Sequence, residues 1–149
     1  MIYKEILPIA SDHAGYELKE FLKQSLSKQG IELKDYGTFS EESCDYPDFI
    51  HPLARDINKG LYPLAIIMCG SGNGVSMTAN KYKNVRCALC WEKDISNLAR
   101  KHNDANICAL PARKIEKQEA LDIVLEFLTT LFEGGRHKVR VDKISQLLE

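Results

Sequence analysis

The sequence lacks the features that would assign it to a membrane, to secretion or to a nucleic acid. No apolar run approaches the ~20 residues that a helix needs to cross a bilayer. The apolar run 6–10 is too short and badly flanked for a signal peptide. The net charge is only −1, from 20 basic and 21 acidic residues, so no global field attracts nucleic acid or an anionic membrane. We predict neither partner, and any bound anion must be held by local groups.

The sequence also offers little for disulfides or structural metals. Its five cysteines are an odd number in a chain without an export signal, which is typical of free thiols in a reducing compartment. Cys87 and Cys90 have C-x-x-C spacing, but they lie in an apolar, strand-like run and would point to nearly opposite faces. No second pair completes a zinc site. We therefore predict core thiols, no metal and a cytoplasmic location.

No internal repeat or Pro/Gly/Ser-rich linker divides the 149 residues, a length that suits one domain, 1–149, with its own core. Apolar runs of strand length alternate with segments of helical periodicity. The predicted strands are 6–10, 31–36, 64–69, 85–90 and 105–110. The predicted helices are 16–28, 46–60, 75–81, 95–100, 116–132 and about 135–148. This alternation predicts a three-layer α/β/α sandwich with a five-stranded parallel, flavodoxin-like or Rossmann-like sheet.

Pro8 fits the first strand poorly, because proline removes a ladder hydrogen bond from a strand that a flavodoxin-like order places centrally. We retain the strand and predict strain there. Parallel sheets bind ligands at the carboxyl ends of their strands. The candidate site therefore includes residues 11–13, residues 69–74 and the segments that follow Cys90 and Leu110.

The loop 69–74, Cys-Gly-Ser-Gly-Asn-Gly, is the most informative segment. Its alternate glycines let backbone N–H groups converge without obstruction by Cβ atoms, and such a nest at a strand-to-helix junction holds negative charge. A plain glycine-rich turn explains the cluster equally well. Walker and dinucleotide-binding loops are excluded, because the loop lacks Gly-Lys-Ser/Thr and Val75 breaks the G-x-G-x-x-G spacing. Cys69 is either a core thiol or, beside the nest, a thiolate base or nucleophile.

Two further segments each allow two interpretations. Asp12 is either a helix cap that accepts from the amides of Gly15 or Tyr16, or a catalytic carboxylate at the end of the first strand. The segment 102–104, His-Asn-Asp, lies between a predicted helix and a predicted strand and would by itself be a polar loop.

The basic residues near the C-terminus form a third candidate. Arg136 and Arg140 are four residues apart and share one face if helical, so their guanidinium groups suit a phosphate. A solvated basic turn is the simpler interpretation of this run alone. Arg113, just after the fifth predicted strand, is a further candidate cation.

Together these segments resemble the type B ribose-5-phosphate isomerases. The matching motifs span essentially the whole chain in the order and spacing of that family: Ser11–Gly15, Asp45–Pro47, Cys69–Gly74, Ala79–Lys81, Arg100–Asn106 and Gly134–His137. Each motif is weak alone, whereas their joint occurrence is highly specific. The same superfamily includes isomerases of allose 6-phosphate and galactose 6-phosphate, so the resemblance leaves the substrate open between a pentose and a hexose phosphate.

The resemblance implies an aldose–ketose isomerase without metal or organic cofactor. Cys69 would be the general base that moves a proton between C2 and C1, with Ser71 helping it to exchange that proton. The cis-enediolate would be held by an anion hole formed by the amides of Gly70, Gly72, Asn73 and Gly74. The remaining implied roles are oxygen-to-oxygen proton transfer (Asp12), ring opening (His102), hydroxyl binding (Asn103), phosphate binding (His13, Arg113, Arg136, Arg140) and lining of the pocket (Tyr46).

Members of the family are homodimers, often paired into tetramers, with each active site built from two subunits. The resemblance thus implies a phosphosugar substrate, a second copy of this chain as partner, and a C-terminal helix that crosses to that copy. A catalytically silent phosphosugar-binding module competes with this interpretation, but it would be favoured only by loss of Cys69, Asp12 or His102. A receiver domain would need an aspartate where the chain has Cys69.

Overall fold

The computed structural model describes residues 3–146, and its strands form one parallel sheet of order β2-β1-β3-β5-β4. The strands are β1 Leu7–Ser11, β2 Leu33–Asp35, β3 Ala65–Cys69, β4 Cys87–Leu89 and β5 Ile107–Pro111. The helices are α1 Tyr16–Lys28, α2 Tyr46–Asn58, α3 Asn73–Ala79, α4 Lys93–Asn103, α5 Lys117–Thr129 and α6 Arg136–Ile144. The predicted flavodoxin-like α/β sandwich is confirmed, with the last two strands exchanged relative to the 2-1-3-4-5 order of flavodoxin.

The sheet explains why the central strands read as continuous apolar runs. Every residue of β1, β3 and β5 is buried, because helices cover both faces of the sheet. One face packs against α1, α4 and α5, around Leu22, Ile66 and Phe127. The other packs against α2 and α3, around Ile50 and Ile67. Among the described residues, no helix combines the length and hydrophobicity of a membrane span.

Pro8 is accommodated by its place in β1. Leu7 donates its N–H to Glu32 beside β2, so the alternation along the strand turns the nitrogen of Pro8 toward β3. Pairing with β3 begins one residue later, at Ile9 with Ile66. The missing donor therefore falls before that ladder starts, and β1 stays in the interior of the sheet without losing a ladder bond to Pro8.

The end of the fourth helix differs from the sequence prediction because polar contacts decide it. The fourth helix runs to Asn103 rather than ending at Arg100, so the prediction of a loop at His102 and Asn103 was wrong. Arg100 holds this last turn, because its guanidinium donates to Asp104 at 3.1 Å and to the Ala105 carbonyl at 2.6 Å.

The C-terminal segment also departs from prediction. The fifth helix ends at Thr129 instead of the predicted residue 132, since Thr130 is extended. Residues 130–135 form the connection to the final helix. The final helix begins at Arg136, after Gly134 and Gly135 adopt positive φ values of 70° and 56°. Its predicted end at residue 148 lies outside the described residues.

The cysteines of the C-x-x-C pattern face opposite layers, as predicted. Cys87 packs with the α2/α3 layer and Cys90 with the layer of α1, α4 and α5, and all five cysteines are free thiols. Burial raises the pKa of the Cys87 thiol to about 12, and burial together with Cys90 raises the pKa of Cys108 well above its usual value. Both remain neutral thiols at ordinary pH.

A buried ion pair ties α1 to the end of β2. The Lys19 side chain is fully buried, and its Nζ lies 2.7 and 2.6 Å from the two carboxylate oxygens of Asp35. Lys23 and the Gly37 N–H also donate to this carboxylate. Burial alone would raise the pKa of Asp35, but these hydrogen bonds outweigh it and hold the pKa below its usual value.

Replacing Asp35 by asparagine should destabilise the fold by about 3–5 kcal/mol, because it leaves the Lys19 ammonium buried without its counter-charge. Urea unfolding measures the loss. The control Glu17→Gln removes an exposed partner of Lys117 and should leave stability almost unchanged. Since the folded-state pKa of Asp35 is depressed, its contribution is present above about pH 4 and is lost as the pH falls through that folded-state value. Equal midpoints for Asp35→Asn and Glu17→Gln would contradict this assignment.

Candidate active site

Several predicted site residues meet where the strands end. We call this the carboxyl-edge cluster: Asp12, His13, Tyr46, Cys69–Gly74 and Arg113. Backbone hydrogen bonds join its loops, since Ala112 donates to the Cys69 carbonyl at 2.8 Å and Arg113 to the Gly70 carbonyl at 3.0 Å. The Asp12 N–H lies 3.4 Å from the Met68 carbonyl. The sheet therefore assembles residues from four separate segments at one edge, as the rule for parallel sheets predicts.

Cys69 ends β3 with its sulfur directed into the glycine loop. The Gly72 N–H donates to Sγ at 3.2 Å. The Cys69 residue is only 5% exposed. Gly72 has φ of 79°, and a Cβ there would lie 2.3 Å from the Leu89 side chain. Only glycine satisfies both constraints, so the loop that carries the amide to the sulfur depends on this residue.

The loop also presents amide groups that no other part of the described chain uses. Among residues 3–146, the N–H groups of Gly70, Ser71 and Gly74 have no hydrogen-bond acceptor. The Asn73 N–H is taken by the Ser71 hydroxyl at 3.2 Å, and no hydrogen bond joins that hydroxyl to Cys69. Three unpaired donors beside a thiol form a nest that suits an anion.

Two side chains lie on either side of this nest. A Cβ built on Gly70 would lie 3.2 Å from Nη1 of Arg113, so the guanidinium lies directly over the loop. A Cβ on Gly74 would lie 2.5 Å from the ring of Tyr46. The ring thus packs on the glycine backbone at the start of α3. The loop is bounded by a cation on one side and an aromatic ring on the other.

Asp12 caps the turn that precedes α1. Its Oδ1 accepts from the Gly15 N–H at 3.0 Å, and the residue is 7% exposed. The predicted hydrogen bond from Gly15 is therefore present, but it closes the turn before α1, whose first amides receive no side-chain cap. The other carboxylate oxygen accepts nothing from residues 3–146, so the bond to Gly15 orients the side chain and leaves Oδ2 for a second role.

The ring of His13 is oriented by Cys44. The Cys44 N–H donates to Nδ1 at 3.2 Å, with the sulfur 3.8 Å from the same atom. Because Nδ1 accepts, a neutral His13 ring carries its proton on Nε2. That arrangement presents Nε2–H as a donor toward an anion.

The remaining predicted residues lie at the other edge of the sheet. We call them the amino-edge cluster: His102, Asn103, Arg136 and Arg140. The segment after Asn103 reaches the starts of the strands, because Asn106 accepts from the N–H of Ala65 at 3.0 Å and of Arg86 at 2.8 Å. α6 packs on α4, with the rings of His102 and His137 stacked at a centroid distance of 4.2 Å. Arg136 and Arg140 are exposed on α6.

One chain does not bring the two clusters together. β3 runs from the amino edge at Ala65 to the carboxyl edge at Cys69, and four steps of about 3.3 Å separate these ends by about 13 Å. The buried sheet stands between them. Residues that the resemblance assigns to one site thus occupy opposite edges of this chain.

Three residues beside these clusters had no predicted role. Cys44 contacts the His13 ring, Glu133 contacts His137, and the His137 ring stacks on the His102 ring. Cys44 stands directly before the Asp45–Pro47 motif, and His137 closes the Gly134–His137 motif, so motif proximity was the available signal for both. Nothing in the sequence singled out Glu133, because it falls just beyond the end of the overpredicted fifth helix.

Comparisons with known proteins identify the family of the chain. The family model for Ribose/Galactose Isomerase matches residues 7–144. Ribose-5-phosphate isomerase B from Escherichia coli is 37% identical over 136 residues, which cover 91% of each chain. A ribose 5-phosphate isomerase structure from Thermotoga maritima is 47% identical, with a TM-score of 0.93 over 96% of this chain and 99% of that one.

A further structure was solved with a bound sugar phosphate. It is ribose-5-phosphate isomerase B from Mycoplasma genitalium with bound ribulose-5-phosphate, 39% identical, with a TM-score of 0.89 over 94% of this chain and 93% of that one. The family model covers most of the chain, and the relatives exceed 30% identity over nearly all of it. The chain therefore belongs to the ribose/galactose isomerase family.

Proposed function

We propose that this chain interconverts ribose 5-phosphate and ribulose 5-phosphate through a cis-enediolate. The observation that carries the proposal is the Cys69 sulfur beside three unpaired loop amides, with Arg113 over the same loop. Relatives named ribose-5-phosphate isomerase B support it, among them the Mycoplasma genitalium structure that binds ribulose-5-phosphate. Five free thiols fit a reducing compartment, and we place the enzyme in the cytoplasm.

The carboxyl-edge cluster supplies the groups that enolisation needs. Cys69 as thiolate takes the proton from C2 of the open-chain aldose and returns it to C1, while Asp12 moves a proton between the two oxygens through its unpaired Oδ2. The amides of the 70–74 loop stabilise the negative charge that develops on the enediolate oxygen. Removing one such donor costs on the order of 3 kcal/mol in activation free energy, so the preorganised loop is as necessary as the base.

The amino-edge cluster completes the site only if it comes from a second copy of the chain. We assign ring opening of the furanose to His102 by general acid–base action and hydroxyl binding to Asn103. Since both lie across the sheet from Cys69 within one chain, the proposed homodimer pairs the carboxyl edge of each copy with the amino edge of the other. Two-fold symmetry then forms two equivalent sites, and two such dimers can pair into a tetramer.

The phosphate is assigned to four donors. His13 offers Nε2–H and Arg113 its guanidinium from one copy, while Arg136 and Arg140 come from α6 of the other. The two arginines are four apart on the exposed helix, so their guanidinium groups share one face. Phosphate binding far from C1 and C2 positions the reacting carbons and contributes to catalysis through orientation.

Arg136→Ala and Arg140→Ala should each raise KM roughly ten- to hundredfold, because a hydrogen bond to a charged group contributes about 1.5–3 kcal/mol. kcat should change less. Steady-state kinetics on ribose 5-phosphate measures both constants. Lys138→Ala is the matched control, as it removes an exposed cation of the same helix that pairs with Asp142. If both arginine variants and the Lys138→Ala control kept the KM of the parent chain, Arg136 and Arg140 would not bind the phosphate.

Side-by-side kinetics on ribose 5-phosphate, allose 6-phosphate and galactose 6-phosphate test the function itself. We expect the pentose phosphate to have the highest kcat/KM. A hexose phosphate with the highest value would retain the mechanism and change the substrate, which the family description leaves possible by including galactose. No turnover of any of the three would favour a non-catalytic phosphosugar-binding module.

A further inference from the structure

Three side chains of types that bind transition metals meet beside α6. His102 lies at the end of α4, Glu133 in the connection that follows α5, and His137 in the first turn of α6. One ligand atom from each lies within 4.8 Å of the other two. The two imidazole rings are nearly parallel, with an interplanar angle of 12°, and His137 Nε2 lies 3.4 Å from Glu133 Oε2.

One of these separations already suits a small divalent ion. Zinc binds imidazole nitrogen and carboxylate oxygen at about 2.0–2.2 Å, so two of its ligand atoms in a tetrahedral site lie about 3.4 Å apart. The pair of Glu133 and His137 already has that spacing. An imidazole nitrogen binds a metal in the plane of its ring, so His102 must rotate out of its stack on His137 to share one ion with it. Its ligand atom must also move by at most about 1.4 Å, from at most 4.8 Å to about 3.4 Å. Three protein ligands leave the fourth position open.

The fold brings the three groups together. The Glu133 N–H donates to the Lys101 carbonyl at 3.1 Å, which fixes the connection against the end of α4. Gly135 has φ of 56° and ψ of −130°, a conformation that only glycine adopts readily, and this turn starts α6 so that His137 faces His102. His137 is 8% exposed. Within residues 3–146, no side chain hydrogen bonds to either ring, and only the Glu133 carboxylate lies within ion-pair distance of one, so the ring nitrogens are available to a ligand.

We propose that His102, Glu133 and His137 form a reversible site for Zn²⁺ or another imidazole-preferring divalent ion. The site is inhibitory rather than catalytic, because a metal on His102 removes the group assigned to ring opening; this consequence rests on the proposed function. One carboxylate and two neutral imidazoles compensate only part of the ion's charge, and Lys101, Arg136 and Lys138 neighbour the ligands in sequence. Binding should therefore be weaker than at a structural zinc site, so that the ion can be gained and lost.

Competition between the reduced full-length protein and a chromophoric chelator, titrated with Zn²⁺ in the absence of substrate, tests the site directly. We expect one ion per chain in the parent protein and at least tenfold weaker binding in Glu133→Gln and His137→Asn. Asp142→Asn removes one negative charge, as Glu133→Gln does, but from α6 and away from the proposed ligands, and this variant should bind zinc as the parent does. Glu133 is exposed, so its variant should fold even if His137→Asn does not.

Cobalt substitution separates this site from the thiols. Co²⁺ in the proposed site should lack a thiolate-to-metal charge-transfer band, since all three ligands are nitrogen or oxygen. Equal zinc affinity in the parent chain and Glu133→Gln, or a thiolate band, would overturn the site.

A second arm follows turnover of ribose 5-phosphate. Zn²⁺ should inhibit the parent chain, a chelator should restore it, and Glu133→Gln should need at least tenfold more metal for the same inhibition. Zinc that binds at the cluster without inhibiting would overturn the inhibitory role. Because the stoichiometry is measured without substrate, an inactive protein would contradict the proposed function and leave the metal site standing.

Discussion

Replacing Cys69 by alanine should lower kcat for ribose 5-phosphate at least a thousandfold while phosphosugar binding persists. The sulfur is the group that receives the C2 proton, and a positioned base contributes roughly 10²–10⁴-fold. Alanine offers no alternative base, and the proton on C2 is only weakly acidic. The phosphate donors His13, Arg113, Arg136 and Arg140 remain in this variant. Turnover from steady-state kinetics and ribulose 5-phosphate binding by calorimetry report the two properties separately.

Cys108→Ala is the matched control, since it removes the same atom from the neighbouring strand β5, where the thiol is buried and neutral. It should retain turnover, with only the stability cost of a small cavity. Exchange of the C2 hydrogen with solvent gives an independent readout and should stop in Cys69→Ala. Normal turnover in that variant would exclude the thiol as the base, and Asp12, the carboxylate of the carboxyl-edge cluster, would have to be reconsidered for that role.

The sequence was most informative where one local rule decides the structure. Helix α1 begins and ends where it was predicted, at Tyr16 and Lys28, because its apolar residues keep helical spacing and Gly30 adopts the positive φ of 84° that follows a helix. Cys69 and its glycines were located by composition and by the carboxyl-end rule. Asp12 was located by its place after β1, and its hydrogen bond from Gly15 was foreseen, although it closes the turn before α1 and does not cap the helix.

Long-range contacts decided the rest. Arg100 extends α4 through His102 by donating to the Ala105 carbonyl. The helical periodicity of the sequence cannot predict that bond. His13 and Cys44 are 31 residues apart, so their contact follows only from the packed loops. The family resemblance named His102, Arg136 and Arg140 without saying that they lie across the sheet from Cys69. That placement follows from topology, because a helix after a parallel strand returns to the amino edge.

Mixing two inactive variants should restore activity. Cys69→Ala disables the carboxyl-edge cluster, and His102→Asn disables ring opening at the amino edge. If each site combines one edge from each copy, a dimer with one chain of each kind has one fully intact site and one doubly damaged site. Random exchange of equal amounts makes half of the dimers mixed, so about one quarter of the parent turnover on ribose 5-phosphate should return.

The recovered fraction distinguishes the shared site from a site within one chain. In the latter case every site carries one lesion in any mixture, and turnover stays at the level of the separate variants.

The double variant Cys69→Ala/His102→Asn mixed with the parent chain is the control for subunit exchange. Every mixed dimer then has two sites with one lesion each, so only the parent homodimers are active. About one quarter of the turnover of an all-parent sample should therefore remain. If each site lay within one chain, one half would remain. Since the buried sheet holds the two edges about 13 Å apart along β3, we expect recovery in the first mixture and one quarter in the second.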